Sequence, residues 1–305
     1  MIYDSHWSDI RSEIRLALAR HLEEMGLPED IVSRLSHRGR LNRASLFLIL
    51  ADPGDTKESR ESVVTLAVGI EMIHKASVIR DDVEDRDVLR RGLPTELSLM
   101  GPAGALALSD VLLADGLATT FRVQPTAMHR ILNTLVSMSS GQFHDVHRGI
   151  TISDPFDVAE RKTGSLLALV FWMGALCSSR SREDRRLLHT IGLHLGTAFQ
   201  LVNDINNVTR DEGRGKDMRS DLAERRNSSI ALLMSQQGGA GTDEAPTEVA
   251  ISAAVDQARA EVARRLDEAR TLASQLDEPL PVRLDLLIND EATARDFVND
   301  QQALI

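Results

Sequence analysis

Apolar residues recur at three- and four-residue spacing along almost the whole chain, as at Ile10, Ile14, Leu16, Leu18 and Leu22, and strict alternation is almost absent. A period near 3.6 builds helices with one apolar side, whereas half-buried strands need a period of two, so the pattern restricts the chain to an all-α fold. Helices are expected over about 5–25, 41–52, 57–83, 101–120, 125–148, 154–178, 183–209, 226–236, 245–275 and 280–300. Breaks fall at Asp52-Pro53-Gly54, Pro94, Pro125 and Asp154-Pro155, where proline removes a donor or glycine loosens the backbone. Only the stretch from Gln236 to Pro246 has a linker's composition, and no fixed-period repeat or shift in composition divides the chain. The expectation is a single large helical domain over residues 1–305.

Charge narrows the partners. Lys and Arg number 35 against 46 Asp and Glu, for a net charge of −11, and that field repels phosphate backbones, so no nucleic-acid partner is expected. Cys177 stands alone. It excludes a disulfide framework or a cysteine-rich metal site and points to a reducing, cytoplasmic compartment. The first ten residues carry acids and no uninterrupted apolar core, unlike a signal peptide. The apolar run from Leu166 to Cys177 contains Gly174 and is too short to span a bilayer, so no membrane anchor is expected. Aromatic residues make up 3% of the chain. Phe143, Phe171, Trp172 and Phe199 fall in the middle helices, where core packing and a substrate-lining role both stay open.

The feature richest in chemistry closes the helix that begins near residue 57. After VVTLAVGIEMIHKASVI the chain reads Arg80-Asp81-Asp82-Val83-Glu84-Asp85. Asp81 and Asp85 lie one turn apart on one face with Asp82 beside them, so three carboxylates can converge on a hard cation. Acids this close repel one another, and magnesium removes that cost while completing its shell with phosphate and water. A solvated helix end balanced by Arg86, Arg90 and Arg91 is the plainer alternative.

The segment from Gly69 to Asp85, with Arg90-Arg91-Gly92-Leu93-Pro94-Thr95, resembles the first aspartate-rich region of trans-isoprenyl diphosphate synthases, the polyprenyl synthetase family. Further matches follow in order: Gly141-Gln142 with Asp145, Lys162-Thr163-Gly164, Phe199-Gln200-Leu201-Val202-Asn203-Asp204, and Gly215-Lys216 with Asp221. The resemblance implies an isoprenoid synthase fold, a helical bundle whose two metal motifs face a central cavity, and a homodimer. It implies that Asp81, Asp82 and Asp85 hold magnesium, three ions in all with bound diphosphate. It further implies that Arg90, Arg91, Lys162, Lys216 and His74 grip diphosphate oxygens, and that Gln200 sits near the ionising end of a prenyl diphosphate. In this family a bulky aromatic four or five residues before the first Asp closes the cavity. Ser77 and Ala76 stand there, which implies a deep pocket for a farnesyl or geranylgeranyl chain.

Two departures bear on the reaction. Where elongating enzymes read DDxxD, this chain has Asn203-Asp204-Ile205-Asn206-Asn207. Asn203, Asn207 and Asp211 fall four residues apart on one helix face and resemble the magnesium triad of class I terpene cyclases. Near residue 40, the acceptor-gripping Gly-Gly-Lys-x-x-Arg segment has Gly39 and Asn42 in its basic places, unless a shift of one residue puts Arg40 and Arg43 there. Both departures favour ionisation of farnesyl or geranylgeranyl diphosphate followed by cyclisation, a terpene synthase (lyase) reaction. The alternatives are a trans-prenyltransferase of geranylgeranyl or irregular type, and a non-catalytic regulatory subunit.

Overall fold

The computed structural model describes residues 2–51, 57–147, 152–209, 227–236, 247–277 and 279–280. Helix α1 (Ile2–Glu24) shows how the periodicity is used. Ile14, Leu18 and Leu22, four apart, are fully buried, whereas Leu16 falls off that stripe and is 67% exposed. Helix α2 (Glu29–His37) was not expected from the periodicity, since nine residues offer only two turns. Its ends explain it: Glu29 and Asp30 occupy the first turn and Arg34 and His37 the last, each complementing the backbone dipole, while Val32 and Leu35 are buried.

Helix α3 (Asn42–Ala51) is almost wholly buried, and α4 (Lys57–Glu84) carries the acidic segment at its C-terminal end. A two-residue turn then joins the strands β1 (Leu89–Arg90) and β2 (Leu93–Pro94), with Leu89 opposite Pro94 and Arg90 opposite Leu93. Both turn residues, Arg91 and Gly92, have positive φ (53° and 74°), the geometry of a type I′ hairpin. Helix α5 (Glu96–Val123) begins where the Thr95 side chain accepts from Ser98 N. It kinks at Gly101 (φ 72°) and resumes at Pro102, so the expected start at residue 101 marks its second piece.

After one 3₁₀ turn (Pro125–Ala127) come α6 (Met128–Val146), the single turn α7 (Asp157–Ala159), a π-turn (Glu160–Gly164), α8 (Ser165–Cys177) and α9 (Arg182–Thr209). Helices α10 (Ser229–Met234) and α11 (Glu248–Ala273) are capped by the hydroxyls of Ser228 and Thr247. The helix expected over 280–300 and most of the linker-like stretch lie outside the described residues.

The contacts divide the chain into two compact units, one drawn from Met1–Arg130 and Val170–Arg185, the other from Ile131–Leu169 and Arg186–Pro279. In the first, α4 packs along α5, and Ser109 Oγ donates to the Ala76 carbonyl across that contact over 2.9 Å. In the second, Ile205, Ile230, Leu233, Met234, Ile251 and Val255 join α9, α10 and α11 into one core. Two helices, Ser59–Glu84 and Glu96–Val123, are long and apolar enough to cross a membrane by length and composition. The apolar window of the first is 67% buried and that of the second 22%. On α5, Leu99, Leu106, Val111 and Phe121 face outward.

Candidate functional site

In the first unit the acidic helix end and the hairpin form one construction. Arg90 donates through Nε to Asp82 Oδ1 at 2.7 Å, and Thr95 Oγ1 closes the hairpin onto the Asp87 carbonyl at 2.6 Å. Asp82 is 4% exposed. Burial pushes its pKa up, Arg90 opposes that, and Asp85 and Asp87 add repulsion. Asp81 and Asp85 are half-buried beside it. Among the described residues no three acids, histidines or cysteines already converge on a point. Magnesium can be held by one or two carboxylates when substrate oxygens and water complete its shell. The donors are all hard oxygens and their mutual repulsion would be relieved by a divalent ion, so the residues fit the metal.

Basic groups gather near the other flank of α4. Arg43 donates to His74 Nε2 at 2.8 Å. Burial pushes the Arg43 pKa down to about 10, Glu71 opposing and Arg91 adding to the fall. His74 is held well below 6.5 by burial and then by Arg43, Lys75, Arg90 and Arg91. Desolvation lowers the pKa of Arg91 too, assisted by Arg40 and Arg90. These mutual effects place Arg40, Arg43, His74 and Arg91 in one neighbourhood.

The loop carrying Arg40 is braced from two sides: Lys75 donates to the Arg38 carbonyl at 3.0 Å, and Arg38 Nη1 donates to the Pro94 carbonyl at 2.7 Å. Lys75 also pairs with the 2%-exposed Glu71 at 3.5 Å, where burial pushes the acid up and the amine down.

The two registers open for this segment differ in their surroundings. Gly39 makes a left-handed turn (φ 87°). Asn42 is buried and accepts from Arg11 at 3.2 Å, while Arg43 is the residue that reaches His74. Glu71 and Lys75 were missed by sequence reasoning, although their four-residue spacing signals a helical pair.

In the second unit, two consecutive residues of the π-turn reach two different helices. Lys162 Nζ donates to Asp145 Oδ2 of α6 at 3.0 Å, and Thr163 Oγ1 donates to Gln200 Oε1 of α9 at 2.7 Å. Gln200 Nε2 in turn donates to Asp204 Oδ1 at 2.9 Å, and the backbone N of Ser229 donates to Asp204 Oδ2 at 3.2 Å. Gly141 allows the close approach. A Cβ there would meet Lys162 N at 2.7 Å and Arg161 Cβ at 2.8 Å.

Asp204 is buried, Asn203 half-buried and Asn207 exposed; α9 is described to Thr209, so Asp211 and Lys216 lie outside the described residues. Of the expected cavity residues, Phe171 is fully buried, Phe199 is 7% exposed and Ala76 is 2% exposed against α5. Ser77 is half-buried, and Phe143 is 54% exposed and stacked on His147.

Comparison with known proteins places this geometry among relatives. Residues 27–264 match the family of polyprenyl synthetases. The chain is 29% identical over 248 residues to a farnesyl diphosphate synthase of Bacillus subtilis, covering 75% of this chain and 84% of that protein. It is 30% identical over 210 residues to a geranylgeranyl diphosphate synthase of Methanosarcina mazei, covering 65% of this chain and 64% of the relative's length, just under two thirds. Among solved structures it is similar to a heptaprenyl diphosphate synthase of Staphylococcus aureus (TM-score 0.79, 22% identity, 95% of this chain and 98% of that one). That likeness shows the fold, the all-α isoprenoid synthase architecture.

Proposed function

Because this chain belongs to the polyprenyl synthetase family, we propose that it is a trans-prenyl diphosphate synthase, condensing an allylic prenyl diphosphate with isopentenyl diphosphate. The observation that carries the reading is the basic neighbourhood of Arg40, Arg43, His74 and Arg91. A cyclase has one diphosphate to hold and no use for a second grip. The cyclase expectation rested on the altered second motif and on the loss of that grip; without the second support it gives way to the transferase named beside it. The relatives' names point the same way.

In this reading Arg40, Arg43 and Arg91 bind the acceptor's diphosphate through their forked guanidinium groups, and neutral His74 orients it. Asp81, Asp82 and Asp85 hold magnesium, which supplies charge neutralisation for the departing diphosphate. Arg90 fixes Asp82 in place. Lys162 provides positive charge for diphosphate oxygens, and Asp145 aims its amine. Gln200, held between the Thr163 hydroxyl and Asp204, sits near the ionising end in this reading.

We place two copies together through α5. Its outward Leu99, Leu106, Val111 and Phe121 leave apolar area exposed, and Asp110 on the same helix, 68% exposed and paired with Arg80, favours a protein partner over a bilayer. Incubation with magnesium and geranyl, farnesyl or geranylgeranyl diphosphate, with and without isopentenyl diphosphate, tests the function. Longer diphosphates formed only with acceptor support it; hydrocarbon or alcohol formed without acceptor overturns it.

A further inference from the structure

We propose that Arg265, which lies one residue beyond the stretch matched to the family, is a positioning residue that acts on Lys162 by holding the π-turn in register. The inference rests on the prenyltransferase reading for its kinetic consequence. Arg265 sits on α11 and is 7% exposed. Its Nη1 donates to Glu160 Oε2 and its Nε to Glu261 Oε1, each at 2.7 Å. Glu160 is the first residue of the π-turn, and Lys162 is two residues further on. One buried guanidinium therefore fastens the start of the turn to a helix more than a hundred residues away in sequence.

A π-turn carries one residue more than an α-turn of the same span. Relaxation to α geometry would rotate the residues on one side by about 100° relative to those on the other. Lys162 could then no longer meet Asp145 while Thr163 meets Gln200, since those two contacts use two successive residues aimed at different helices. The turn is held on its other flank by the tight approach to Gly141. With Glu160 fastened at one end and Gly141 admitting the backbone beside Lys162, the π register has two supports, and Arg265 is the one that a side-chain change can remove. The neighbouring charges reinforce the anchor: Glu261 also accepts from Arg264, Arg264 reaches Glu268, and His194 Nδ1 of α9 lies 3.3 Å from Glu268.

The test uses the full chain with magnesium, farnesyl diphosphate and isopentenyl diphosphate. Arg265→Met and Glu160→Gln are each expected to lower kcat roughly 10- to 100-fold, the cost of a misplaced catalytic group, with KM for isopentenyl diphosphate unchanged. Arg265→Lys should recover part of the loss. Hydrogen exchange at residues 160–164 should accelerate in the Met and Gln variants. Should Arg265→Met fail to fold, the partly exposed Glu160→Gln carries the test alone. Wild-type kcat in the variants, or a fall without any rescue by lysine, overturns the proposal. If the native chain elongates nothing, the prenyltransferase reading fails, and the exchange rates still decide whether Arg265 holds the turn.

Discussion

Arg43 Nη1 donates to Nε2 of His74 over 2.8 Å. A guanidinium has no lone pair to offer, so the imidazole accepts there and carries its proton on Nδ1, an atom that is buried and meets no partner among the described residues. A neutral ring thus presents an unsatisfied donor beside several cations. Filling it with a diphosphate oxygen would recover one hydrogen bond. His74→Phe should raise the KM for isopentenyl diphosphate about tenfold, the value of one such bond. His74→Gln, which keeps a donor, should raise it less. KM for the allylic substrate should stay the same in both, and steady-state kinetics with each substrate varied in turn checks the split.

The same ring gives a pH dependence. Its pKa in the fold lies well below 6.5 because of burial and the surrounding cations, whereas in the unfolded chain it titrates near 6.5. The unfolded state therefore takes up the proton first as pH falls. The contribution to stability is intact above about pH 6.5 and is lost as pH drops from there toward the depressed value. Melting curves between pH 7.5 and pH 5.5 should show a smaller decline for His74→Gln than for the native chain.

Magnesium should be required. Chelation should abolish turnover, and added magnesium should restore it. Asp81→Ala should lower kcat by about 10²–10³-fold with little change in melting temperature. Asp82→Ala should lose comparable activity with the melting temperature unchanged or raised, because burial and the neighbouring acids already disfavour that carboxylate despite Arg90. Activity persisting in excess chelator would count against the metal assignment.

Asp204 and Asp211 separate the two chemistries. Asp204 accepts from Gln200 and from Ser229 N, so Asp204→Ala leaves two donors unpaired, one of them in buried backbone. A loss of about 1–3 kcal/mol with a severe fall in kcat is expected. Asp211→Ala should be mild in a transferase. Equal damage from both variants would return the chain to the cyclase triad of Asn203, Asn207 and Asp211.

Product length offers a further check. Ser77 lies one helical turn before Asp81 on the same face and is half-buried. Ser77→Phe should shorten the longest product by at least one isoprene unit in a chromatographic assay. Ala76 is packed against α5 at 2% exposure. Ala76→Phe should instead lower the melting temperature, since overpacking costs about 1–3 kcal/mol.

The parts legible in the sequence were those written in local spacing. The stripe of Ile14, Leu18 and Leu22 and the acids closing α4 need only the helical period to be read. The π-turn was not legible, because one extra residue in a turn leaves no trace in a pattern with irregular three- and four-residue steps. Its partners, Asp145 and Gln200, lie 17 and 37 residues from Lys162 and Thr163. The choice between Gly39/Asn42 and Arg40/Arg43 was ambiguous for a different reason. Both pairs are three apart, and only the left-handed backbone at Gly39 and the contact of Arg43 with His74 separate them.

The hairpin tip has a cost of its own. Arg91 occupies a left-handed conformation (φ 53°) that asparagine or glycine would adopt with less strain, by roughly 1 kcal/mol. Exchanging it would relax the backbone and at once remove a guanidinium from beside Arg40. Durability and turnover therefore pull in opposite directions at a single codon. In a library sorted only for heat resistance, arginine should be depleted at position 91. In one sorted for growth that depends on this enzyme, it should be kept.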